Sequence, residues 1–132
     1  MARQKILHKK IHWIALVGFF FVLISTFLSC TRETEVAIDR FLGVWETAEP
    51  KYEDRFLEID EATIAFGTGD GNSNIFFVDR VIQRVEENTT VYTISYTDVE
   101  GSLFKLAFYY SPEYGGVVRF KNQQEIEWTR IN

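Results

Sequence analysis

The chain has 132 residues, room for one domain, and its net charge of −5 is unevenly spread. Residues 1–29 carry four basic side chains and no acid, whereas residues 30–132 hold all 19 acids against ten bases, a net of −9. That sign argues against nucleic acid, where affinity comes from neutralised phosphates, and against direct adsorption to anionic lipid. Both histidines, His8 and His12, and the single cysteine, Cys30, lie at or before residue 30. A domain that begins there has no imidazole base for a Ser-His-Asp or Cys-His triad, no Cys or His set for zinc, and no thiol pair. The expectation is a protein that is not an enzyme, holds no cofactor or metal, and is stabilised by packing. The 16 aromatics between Phe41 and Trp128 supply the material.

The first element is a leader. Trp13 to Ser29 reads WIALVGFFFVLISTFLS without a charge, behind Lys9-Lys10 and ahead of Thr31-Arg32-Glu33. A positive flank, an apolar centre and a small residue before the break make an export signal. Phe27-Leu28-Ser29-Cys30 resembles the lipobox of bacterial lipoproteins. Ser29 matches the small residue of that pattern, while Phe27 and Leu28 depart from its Leu followed by Ala or Ser. The resemblance implies that the Cys30 thiol is the lipidation site and that the signal, residues 1–29, is cut before it. With Thr31 where many inner-membrane lipoproteins have aspartate, it also implies the outer membrane of a cell envelope, with the domain in the periplasm or at the surface. The alternative is an uncleaved anchor: 17 helical residues at ~1.5 Å each reach ~26 Å, just under a hydrocarbon core of ~30 Å. Both readings make the membrane the partner of the N-terminus.

Residues 30–40 are polar and read as a tether with one helical turn; residues 41–132 have strand character almost throughout. Tyr92, Ile94 and Tyr96 alternate with Val91, Thr93 and Ser95. Phe104, Leu106, Phe108 and Tyr110 alternate with Leu103, Lys105, Ala107 and Tyr109. Period two with aromatic and β-branched residues on one face predicts half-buried strands. In chain order they span 42–48, 53–59, 62–67, 74–79, 81–87, 90–97, 102–110 and 116–121, with 125–131 as a ninth. Turn residues separate them at short intervals, which implies an antiparallel meander. The apolar residues of 75–85 change face near Asp79-Arg80, predicting a bulge or a break there. The fold class is therefore all-β: about eight strands closing into a barrel or a partly open barrel, which hides its edges.

Gly43-Val44-Trp45, at the start of this meander, resembles the Gly-x-Trp opening of the calycins, the lipocalin-like and avidin-like barrels. The resemblance implies that Gly43 lets the chain enter the barrel floor, that Trp45 plugs the closed end, and that Arg130 on the last strand packs over its ring. It also implies that the barrel binds a small apolar ligand or acts as a protease inhibitor.

Other motifs carry less. Asp70-Gly71-Asn72-Ser73-Asn74 has the first ligand positions of a calcium loop, but Ile75 stands where glycine is required and Val81 where glutamate is. Asn88-Thr89-Thr90 fits the glycosylation sequon and reads as a turn. The carboxylate pairs Asp60-Glu61 and Glu125/Glu127 have no sequence feature that sets them across a cleft. Tyr92, Tyr96 and Tyr110 share the apolar faces, and with Arg119 as a polar partner they are the candidate ligand-binding residues. The functional expectation is a non-catalytic, membrane-tethered envelope lipoprotein that binds a small ligand or a partner. A protein-interaction module, such as a protease inhibitor or assembly accessory, is the alternative.

Overall fold

The computed structural model describes residues 31–131; the leader and Cys30, on which the signal, lipobox and anchor-helix expectations fall, lie outside the described residues. Nine strands form one sheet: β1 (Glu33–Glu35), β2 (Gly43–Glu46), β3 (Phe56–Ile59), β4 (Thr63–Gly67), β5 (Ser73–Glu86), β6 (Thr89–Thr97), β7 (Leu103–Ser111), β8 (Val117–Phe120) and β9 (Trp128–Ile131). Strands β2 to β9 pair antiparallel in chain order, and β9 returns to β2, so the eight-stranded barrel is closed. Closure leaves only β1 as an added strand, laid on β5 opposite Ile82 to Arg84. Among the described residues no helix is long and apolar enough to cross a membrane.

The expected strands 74–79 and 81–87 are one strand, β5. Its register slips at Asp79 between Val78 and Arg80, so the chain bulges there without breaking. That extra residue is why the apolar face appears to switch in the sequence. β5 and β6 join through a two-residue turn in which Glu87 (φ 46°) and Asn88 (φ 67°) are both left-handed, the geometry that suits the twist of a hairpin. β2, β3 and β9 are shorter than the sequence suggests, because Pro50–Tyr52 forms a 3-10 turn and the chain reaches β9 only at Trp128. The segment expected to be a polar tether is bound to the barrel. β1 pairs with β5, and Val36 and Ile38 pack against the core.

The meander fixes two ends. Thr31, Ile131, the turn 60–62 and the loop 112–116 share one end; the loops 47–55, 68–72, 98–102 and 121–127 share the other. The β5–β6 hairpin runs past the last β6–β7 pair, Tyr92–Phe108, and its Glu86 pairs with Lys121 at 2.6 Å. The 3-10 turn Asp39–Phe41 tucks Phe41 under the first end, fully buried, with edge-to-face rings of Tyr92, Phe108 and Tyr110 at 4.9, 5.1 and 5.2 Å. Leu57, Ile59, Ile64, Val81, Ile94 and Val118 complete the core. Among the described residues the core runs from Val36 to Trp128 and lies within the compact unit Thr31–Asn132, which thus has a hydrophobic core of its own.

Candidate functional site

The first end is a floor. Trp45 is fully buried, its Nε1 donates to the Phe41 carbonyl at 3.0 Å, and the Arg130 guanidinium lies 4.7 Å from its ring centroid. Arg130 pairs opposite Trp45 in the β2–β9 register, and its Nη2 donates to the Arg40 carbonyl at 2.6 Å. Gly43 makes room: a Cβ there would meet the Arg130 Cδ at 3.2 Å, and its φ of 129° is one that L side chains rarely adopt. The charge thus lies across aromatic and backbone groups, a position in which a cation is stabilised by a ring face.

The opposite end is a mouth. Phe66 (β4), Tyr96 (β6) and Phe104 (β7) are the outermost inward-facing residues of their strands, and Phe76 (β5) lies one inward step below Asn74, which pairs with Phe66. They touch in a ring-to-ring group: Phe76–Tyr96 at 5.1 Å, Phe66–Tyr96 at 5.7 Å, Phe76–Phe104 at 5.7 Å, and Tyr96 stacked on Phe104 at 5.6 Å. None is fully buried, and Phe104 is 41% exposed. Partial burial raises the Tyr96 phenol above its ordinary pKa, so it stays protonated and can donate. The other half of this end is covered. Tyr52 packs on Trp128, and Gln123 Nε2 donates to the Tyr52 hydroxyl at 2.9 Å, joining loops 47–55 and 121–127. Beneath them Trp128 is 5% exposed, and its Nε1 has no acceptor among the described residues.

The four residues expected to line one pocket are not together. Tyr92 and Tyr110 belong to the floor cluster around Phe41, and the Tyr92 hydroxyl accepts from Arg40 Nη1 at 3.3 Å. Tyr96 is at the mouth. Arg119 faces outward and forms an ion pair with Glu127, because Val118 and Phe120 take the inward positions on β8. The mouth residues outside the sequence-derived site are Phe66, Phe76 and Phe104; period two puts Phe104 on the apolar face of β7, and nothing in the sequence brings the three rings together.

The discounted motifs are local structure. In loop 68–72, Asp70 Oδ1 accepts from the Asn72 amide at 3.0 Å and from the Thr68 hydroxyl, and these bonds lower its pKa to about 2. Asp60 Oδ1 accepts from the Glu61 amide at 2.8 Å, which orders a turn. Among the described residues no three His, Cys, Asp or Glu side chains converge as metal ligands would.

Floor and mouth together define a closed, eight-stranded up-and-down barrel with one plugged end and one half-open aromatic end. Comparison with protein families, with characterised proteins and with solved structures finds no match to this chain.

Proposed function

We propose that this protein is a non-catalytic binding module, held at a bacterial envelope membrane by its N-terminus, and that the barrel mouth is where it binds. The observation that carries the reading is the contrast between the ends. Phe41 and Trp45 are 0% exposed at the floor, while four aromatic rings at the mouth keep faces open to solvent. Leaving large apolar rings part-exposed forgoes burial worth roughly 25 cal/mol per Å², a cost that a binding site recovers when occupied. The core aromatics fill the interior below, which favours a ligand seated over the mouth rather than deep in the barrel. The outward position of Arg119 removes the polar partner first expected inside.

The test is binding to the fragment Thr31–Asn132. It retains two tryptophans, Trp45 at the floor and Trp128 near the mouth. An apolar ligand at the mouth should change Trp128 emission, leave Trp45 unchanged, and lose affinity on Phe104→Ala. Native mass spectra showing no adduct from any envelope extract, with no emission change for any apolar probe, would sink the small-ligand reading. The tether is tested on the full chain. Cys30→Ser should block incorporation of labelled fatty acid and leave the leader attached. Unchanged mass and labelling would make residues 13–29 an uncleaved anchor.

A further inference from the structure

We propose that the mouth selects cationic amphiphiles, with an apolar chain laid on Phe66, Phe76, Tyr96 and Phe104 and a positive head held among the carboxylates of loops 68–72 and 98–102. This rests on the mouth being the binding site and adds the chemical class of what it takes.

Each of the two loops caps one pair of the aromatic strands. Loop 68–72 joins β4 to β5, directly beyond Phe66 and with Asn74 between it and Phe76; loop 98–102 joins β6 to β7, directly beyond Tyr96 and Phe104. Their charged residues are Asp70, Asp98 and Glu100, with no lysine or arginine in either loop. Among the described residues, none of the three is in an ion pair. Asp98 Oδ1 accepts from the Glu100 and Ser102 amides, each at 2.9 Å, as Asp70 Oδ1 does from Asn72. These bonds favour the charged form, so both carboxylates are fixed in place and stay ionised well into acid.

The aromatic side suits a cation as well. Tyr96 and Phe104 are stacked with an interplanar angle of 21° and are not fully buried, a surface to which an ammonium group is attracted electrostatically. An apolar chain leaving the mouth over the rim meets more apolar surface. Phe77 and Leu103 flank Thr97 in register on the outer face, and are 50% and 59% exposed. A second copy of this acidic domain would bring like charges together at the same loops, and an anionic lipid would meet the same repulsion.

The experiment compares three twelve-carbon probes on the fragment Thr31–Asn132, each below its micelle concentration: dodecyltrimethylammonium, uncharged dodecyl maltoside and dodecanoate. Exposed carboxylates each contribute a factor of about 1.4 to 5, so the cation should bind about tenfold tighter than the uncharged probe, and dodecanoate weakest. The gap should shrink as the Debye length falls from ~10 Å at 0.1 M salt to ~3 Å at 1 M. Glu100→Gln removes a side chain that forms no ion pair, and Asp98→Asn keeps an acceptor oxygen for the turn; together they should cut the preference to about threefold or less. Equal affinities for the cation and the uncharged probe, or a preference that ignores salt and both substitutions, would overturn the selectivity. No binding of any probe would instead overturn the mouth as the binding site.

Discussion

Replacing one ring at each end separates structural from exposed aromatics. Phe41 is fully buried and meets three rings edge to face within 5.2 Å, so Phe41→Ala leaves a hole that its neighbours cannot close. Substitutions of this kind cost about 3–5 kcal/mol, a large share of the 5–15 kcal/mol typical of a domain. At roughly 4–8 °C per kcal/mol for a domain near this size, the melting temperature should fall by about 12 °C or more. Phe104, 41% exposed, borders solvent, and water fills the space it vacates. Phe104→Ala should therefore cost about 1 kcal/mol, the value of its buried fraction alone. Urea titration of Thr31–Asn132, followed by tryptophan emission and circular dichroism, measures both. Comparable losses would show that the two ends are equally packed and refute the assignment of floor and mouth.

Two further outcomes follow from the same geometry. Gly116 has a φ of 122°, and a Cβ there would stand 2.9 Å from the Trp45 ring, whereas at Gly115 (φ 83°) a Cβ meets nothing within 4 Å. Thermal melts should show Gly116→Ala losing more than Gly115→Ala, whose cost is that of a left-handed backbone alone, about 1 kcal/mol; equal losses would mean that Trp45 is free to move aside. The folded pKa of Asp70, about 2, lies below its ordinary 3.8. Its contribution is therefore fully present above about pH 4 and lost as pH falls through 2, so Asp70→Asn should lower stability at pH 7 and converge with the parent protein as pH approaches 2. An unchanged acid limb would remove the carboxylate from the loop's ordering.

The inward face of β6 and β7 was legible in the sequence because strict alternation needs no tertiary information. The change of face at Asp79 also gave away the bulge, since one extra residue inverts the pattern downstream. The alternation of β8 likewise puts Arg119 on the face opposite Val118 and Phe120, so its outward position is legible from period two alone. Period two assigns Tyr92, Tyr96 and Tyr110 a face but not a height, so it does not separate them. Height comes from counting back to the loops, which puts Tyr96 beside loop 98–102 and Tyr92 at the far end. Two elements carried no pattern. β1 is Glu-Thr-Glu and wholly exposed, so only pairing with β5 reveals it. Phe41 acts from a 3-10 turn, outside any strand period.

Both described termini, Thr31 and Ile131, leave from the plugged end. For a nine-residue strand such as β7, tilted as barrel strands are, the opposite rim stands on the order of 20–25 Å away. That exceeds two Debye lengths of ~8 Å at physiological salt. A lipid surface on the N-terminal side would leave Asp70, Asp98 and Glu100 in the ionic environment of the bulk. Headgroup charge would then neither gather cations for the mouth nor compete for them, and a fusion or surface attachment at either terminus would leave the mouth unobstructed.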